Sequence, residues 1–163
     1  DSNDHAIYLA AVGQVASAIT AEIRVGGQER QFDDDAYDDE TQFFMESSLS
    51  WVASDLTTVD FSIGNGFDTT IDDISTETFF AELGLRHQFS EKIRASAGLG
   101  YEDVKYSDGR DDEQFSVEIG CAYTLIEDQL EIESGFRYAD RDSNQDDSTY
   151  EVVTFVLSIA YLF

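Results

Sequence analysis

The chain has 163 residues, 35 of them acidic and 9 basic, for a formal charge of -26; a phosphate backbone would be repelled, which argues against a nucleic-acid partner. Apolar residues are 42% of the chain and aromatics 13%, too many for an acidic disordered segment, and no apolar run approaches the roughly 18 to 20 residues a spanning helix needs. With no proline and no Gly/Ser-rich linker, residues 1–163 read as one domain. The single cysteine, Cys121, allows no internal disulfide and reads as a small apolar strand residue. The opening residues carry no signal-peptide pattern, as expected of a mature product or a fragment.

In chain order, alternation of period two predicts strands over 5–13, 17–31, 41–53, 56–67, 77–89, 92–105, 113–126, 129–139 and 149–163. Their length of about ten residues or more is what a tilted strand needs to cross a bilayer. The connections alternate in kind. Short turns are expected at 13–16, 54–55, 90–91 and 127–128, and longer acidic loops at 33–40 (DDDAYDDE), 68–77 (DTTIDDISTE), 107–113 (SDGRDDE) and 140–148 (DRDSNQDDS). Tight turns on one side and larger loops on the other are the asymmetry of transmembrane barrels. Gly26, Gly64, Gly100 and Gly135 recur 38, 36 and 35 residues apart, each followed by an acidic run, a period that suggests one hairpin per repeating unit.

Sorted by parity, one face of these strands is apolar and rich in aromatics, and the other is polar and small. The polar face carries Glu22, Arg24, Glu46, Asp60, Glu82, Arg86, Arg94, Glu102, Glu118, Glu131, Glu133 and Arg137 among serines and glycines. Eight acids against four arginines would favour cations in a water-filled lumen, while cross-strand ion pairs would make the same set a structural ladder. Parity by itself does not say which face is inside, and a lipocalin-like barrel would turn the apolar face inward. The Gly/Ser-rich polar face and the aromatics gathered toward strand ends favour a lipid-facing exterior.

The chain ends on an apolar stripe of period two, Phe155, Leu157, Ile159, Tyr161 and Phe163, with Val153 before it. This stripe resembles the C-terminal signal that barrel-assembly machinery reads in bacterial outer-membrane proteins. The resemblance implies the bacterial outer membrane, with that machinery, membrane lipid and lipopolysaccharide as partners. The expected fold is all-β, an antiparallel up-and-down transmembrane β-barrel with about nine strands in this chain. Since single-chain bacterial barrels have even strand counts, nine strands point to the C-terminal portion of a larger barrel. Dropping the first, least regular segment leaves an eight-stranded barrel as the competing count.

The spacing Asp140, Asp142, Asn144, Asp146 and Glu151 imitates a calcium loop, although Gln145 stands where such a loop wants glycine. Weak divalent-cation binding is the most this implies, and no other cofactor is expected. His5 and His87 lie far apart, the pair Glu46 and Ser48 follows from alternation, and no nucleophile elbow occurs. The chain is not expected to be an enzyme.

Residues 99–112 (LGYEDVKYSDGRDD), 135–147 (GFRYADRDSNQDD) and 152–163 (VVTFVLSIAYLF) resemble the C-terminal part of β-barrel porin families, including barrels associated with exopolysaccharide operons. The resemblance implies a porin-like channel for small solutes or ions, with a link to polysaccharide export. The alternative is a small non-conducting eight-stranded barrel with a structural or partner-binding role through its acidic outer loops.

Overall fold

An extended segment leaves every backbone N–H and C=O to be satisfied by a neighbour, and consecutive segments joined by two-residue turns have one neighbour within easy reach. The computed structural model, which describes residues 2–32, 40–69, 75–126 and 129–161, resolves this into a single sheet. Its strands are β1 (Ser2–Ala16), β2 (Ile19–Phe32), β3 (Glu40–Ser54), β4 (Thr57–Thr69), β5 (Ser75–Ser90), β6 (Ile93–Tyr106), β7 (Asp111–Ile126), β8 (Leu130–Ser143) and β9 (Tyr150–Tyr161). They lie in sequence order, every neighbouring pair antiparallel. A 3-10 turn over Asp146–Ser148 is the one helical element among the described residues.

All nine expected strands are present. The eight-stranded count fails because the first segment is a full strand, paired with β2 from Ser2 opposite Phe32 to Ala16 opposite Ile19. Among the described residues, β1 and β9 each have a neighbour on one side only.

The loops correct the sequence reading in one respect. The acidic stretches at 107–113 and 140–148 are partly strand: β7 begins at Asp111 and β8 continues to Ser143. Asp112 pairs with Ser143 and Asp140 with Glu151. Beyond the bilayer a carboxylate can be satisfied by water or by a cationic partner whether its backbone is strand or loop, so the ladder hydrogen bonds decide, and hydropathy patterning marks strand ends poorly there. Much of the predicted loops at 33–40 and 68–77, and the turn at 127–128, lie outside the described residues.

At the short turns, register shifts between Gln14 and Ala16, Val52 and Ser54, Gln88 and Ser90, and Thr124 and Ile126 place one unpaired residue on each of β1, β3, β5 and β7 just before its turn. Such bulges sharpen the local twist at a barrel rim. The same device at four hairpins matches the glycine period, since Gly26, Gly64, Gly100 and Gly135 all fall on even-numbered strands. Two of these glycines are dictated by close approach. A Cβ on Gly26 would sit 2.2 Å from the Ile7 carbonyl oxygen and 2.8 Å from the Phe44 ring, and one on Gly64 would sit 2.9 Å from the Met45 carbonyl oxygen and the Phe80 ring. Gly26→Ala should therefore reduce the refolded fraction in detergent markedly. Gly27→Ala, where an added Cβ meets nothing within 4 Å, should refold like the parent; equal yields would refute the packing argument.

The apolar side chains do not form a core. The buried apolar side chains among those described are Val104 and Ala139. Ile119 is 56% exposed and Phe155 69%, and Trp51, Phe61, Leu83, Leu99, Phe115 and Phe136 also stand exposed on the same face. The larger cavities open against the opposite, polar face, so that is the hollow side of the sheet. A lipocalin-like arrangement would have the reverse. The aromatics of the apolar face stand in two tiers, with Phe43, Phe79, Tyr101 and Phe115 toward the acidic loops and Trp51, Phe89 and Tyr123 toward the short turns. Phe79 and Tyr101 meet edge to face with centroids 6.4 Å apart. Two aromatic tiers bounding an aliphatic band are what the two interfaces of a bilayer demand.

Candidate functional site

Alternation along each strand and the observed register place the twelve predicted polar-face charges on one side of the sheet. Glu22 lies opposite Ser48, Ser48 opposite Ser62, and Ser62 opposite Glu82. One row further toward the acidic loops, Arg24 faces Glu46. Every one of the four arginines has a carboxylate partner: Arg24 with Glu22 at 2.7 Å and Glu46 at 3.2 Å, Arg86 with Asp60 at 2.7 Å, Arg94 with Glu131 at 2.7 Å, and Arg137 with Glu118 at 3.3 Å. All but the Arg24–Glu22 pair cross between strands. Because most of these side chains are about half exposed and screened by water, the bridges add little to stability.

The pairing leaves an excess. Among the described residues no arginine meets Glu82, Glu102 or Glu133; Glu82 accepts a hydrogen bond from Ser62 at 3.1 Å and Glu133 one from Ser158 at 3.4 Å. Small residues keep the space above the wall open. One cavity of about 530 Å³ is lined by Glu22, Asp60, Glu82, Glu118 and Arg137 together with Gly84, Gly98 and Gly100.

The acidic-loop end of this face holds a cluster that the loop assignment hid. Asp112 is 1% exposed and receives hydrogen bonds from Arg110 through Nε at 2.9 Å and through Nη2, and from Arg141 through Nη1 at 3.4 Å. The Arg110 guanidinium lies 4.2 Å from the Tyr106 ring centroid and that of Arg141 5.4 Å from the Tyr150 centroid. The hydrogen bond to Asp112 holds the Arg110 guanidinium above its ordinary value. The Asn144 side chain joins the two connections by donating to the Gly109 carbonyl at 2.9 Å and accepting from the Asp111 N–H at 3.0 Å. Gly109, at φ 89°, occupies the left-handed region that the four-residue turn requires. Extending the alternation past Glu131, Glu133 and Arg137 to Arg141 would have placed Arg141 on the polar face.

The calcium-like spacing does not close on an ion. Asn144 is occupied as described, Asp146 sits in the 3-10 turn, and Asp140 and Glu151 oppose each other across β8 and β9. Among the described residues no three metal-ligating side chains gather. Glu46 is engaged with Arg24 rather than Ser48. His87 lies on the apolar face, its Nδ1 2.8 Å from the Thr57 hydroxyl and its ring against Phe89. Phe155, Leu157, Ile159 and Tyr161 stand exposed along β9; Phe163 lies outside the described residues.

The family described as "Putative beta-barrel porin 2" matches residues 3–162. Among solved structures, OmpT, an outer membrane protein of Vibrio cholerae, is similar at 13% identity and a TM-score of 0.65, covering 97% of this chain and 55% of that one. The FrpB iron transporter from Neisseria meningitidis is similar at 12% identity and a TM-score of 0.74, covering 99% of this chain and 31% of that one. At these identities the likeness is one of fold. The chain spans about half the length of the OmpT chain and a third of the FrpB chain. No curated protein matches the sequence.

Proposed function

Because the chain belongs to the Putative beta-barrel porin 2 family, and with it to the bacterial outer membrane, we propose that it forms the wall of a porin-like, non-enzymatic channel for small solutes or ions whose lumen favours cations. The carrying observation is the charge balance of the hollow face, where Arg24, Arg86, Arg94 and Arg137 are each bound to a carboxylate and, among the described residues, Glu82, Glu102 and Glu133 meet no arginine. In a narrow passage walled by low-dielectric protein and lipid, such an excess sets the sign of the field. The apolar face then meets outer-membrane lipid.

Strand direction supports a barrel of more than nine strands. β1 and β9 run the same way, because each neighbouring pair is antiparallel and both are odd-numbered. Antiparallel closure therefore takes an odd number of further strands. An eight-stranded wall has an interior just filled by side chains, whereas a wall of many more strands encloses water. The half-length coverage of OmpT fits the larger class.

The test is the reversal potential of the full-length barrel in a planar bilayer under a salt gradient. Cation preference is expected, and Glu82→Gln, Glu102→Gln and Glu133→Gln together should reduce it, more at low ionic strength where the Debye length is about 30 Å at 0.01 M. Anion preference in the parent would refute the charge reading. A folded barrel without conductance would refute the channel.

A further inference from the structure

The surplus of acid on the hollow face is not spread evenly over its strands. Of the twelve polar-face charges, those on β2 to β5 are Glu22, Glu46, Asp60 and Glu82 against Arg24 and Arg86. Arg24 holds both Glu22 and Glu46, and Arg86 is taken by Asp60. One arginine between two acids leaves a first uncompensated charge, and Glu82 adds a second. On β6 to β8, Glu102, Glu118, Glu131 and Glu133 stand against Arg94 and Arg137. There the outer end gives a charge back, because Arg110 and Arg141 share the one carboxylate of Asp112.

The three acids that meet no arginine therefore differ in their surroundings. Glu102 lies in one row with Gln114 and Arg141 across β6, β7 and β8, about two strand spacings or roughly 10 Å from that guanidinium. Arg141 donates through Nε to Gln114, the residue between them, at 3.2 Å. The surplus positive charge of the Asp112 cluster thus falls beside Glu102. Along its own strand Glu102 directly follows Tyr101 of the outer aromatic tier, so it stands at the outer mouth. Glu133 stands at the other mouth: its chain neighbour Ile132 lies opposite Tyr123 of the short-turn tier, and Arg94 shares its row across Ala122.

Glu82 is placed otherwise. On β5 it lies three residues in from Phe79 and seven from Phe89, between the two tiers. Its row runs Glu22, Ser48, Ser62, Glu82, Gly100 and Ser116, without a positive group. Ser62 donates to its carboxylate at 3.1 Å, which leaves the negative charge intact. The cavity of about 530 Å³ opens over this row.

The geometry points to Glu82 as the residue that sets the charge selectivity of the channel. Bulk water at either mouth screens Glu102 and Glu133, whereas a charge inside the band acts through low-dielectric walls that focus its field. Hydroxyls and a glycine beside it let a hydrated cation approach, and nothing in the row offsets the repulsion of an anion. The inference deepens the channel reading and rests on it for conduction.

Reversal potentials of the full-length barrel in a planar bilayer, under a potassium chloride gradient with about 0.1 M on the dilute side, where the Debye length is about 10 Å, test it. Glu82→Gln should lower the cation-to-anion permeability ratio about threefold; a change of roughly half of kT in the local potential suffices, since the two ions respond in opposite senses. Glu102→Gln and Glu133→Gln should each stay close to the parent. Ser62→Ala, which removes the hydrogen bond but keeps the charge, and Glu82→Asp should also keep the parent ratio. Ser116→Arg, beyond Gly100 from Glu82, tests the same row by adding a charge and should lower the ratio as Glu82→Gln does. A folded Glu82→Gln or Ser116→Arg barrel with the parent ratio, or a Glu102→Gln or Glu133→Gln barrel that loses as much as Glu82→Gln, would overturn the assignment and leave a cation-selective channel standing. A parent barrel without conductance or without cation preference would remove the channel reading, and the assignment with it.

Discussion

Ile119→Arg is expected to destabilise the protein in lipid by about 2 to 4 kcal/mol and to lower its level in the outer membrane sharply. Ile119 is 56% exposed and lies four residues from Phe115 toward one aromatic tier and four from Tyr123 toward the other, which puts it at the middle of the aliphatic band. A guanidinium there faces hydrocarbon on every side. Ser116→Arg, three residues away on the hollow face, is the control. Its cross-strand neighbour is Gly100, itself opposite Glu82, so the new charge meets water and an acid. Urea-dependent folding into lipid vesicles measures the difference; similar stabilities for the two variants would show that the apolar face does not meet lipid.

Asp112→Ala is expected to loosen the hairpins at the acidic-loop end by about 3 kcal/mol, because deleting one partner of a buried pair leaves the other charge uncompensated. Here two guanidinium groups, 24% and 18% exposed, lose their shared acceptor. Rapid proteolysis within 107–110 and 144–149 should result, with no change in the protease resistance of the wall. Asp112→Asn, which keeps one acceptor oxygen, should be affected less. If Asp112→Ala is cleaved no faster than the parent, the cluster does not fasten these connections together.

The contrast between these sites shows where the amino-acid pattern was sufficient. Period-two alternation identified nine strands and the residues on each face, because side-chain direction in a strand is a local property of the backbone. Arg24, Glu46, Glu82 and Glu118 could therefore be assigned to one face before any partner was known. The glycine period likewise reported one hairpin per unit, since a duplicated hairpin repeats its own close contacts, as Gly26 and Gly64 do beneath Phe44 and Phe80.

What residue order could not show was which charges meet. The bonds of Arg86 to Asp60 and of Arg94 to Glu131 depend on register across strands separated by 26 and 37 residues. The same dependence hid the Asp112 cluster, whose arginines arrive from a turn and from the far end of β8, in stretches whose acidity reads as loop. Composition and alternation determined an antiparallel sheet with a wet face and an oily one, because both follow from side-chain polarity and strand geometry. The tertiary structure decided that the oily face is exposed, that the wet face is hollow, and that, among the described residues, arginine pairing leaves Glu82, Glu102 and Glu133 over, because these follow only from the packing of residues distant in the chain.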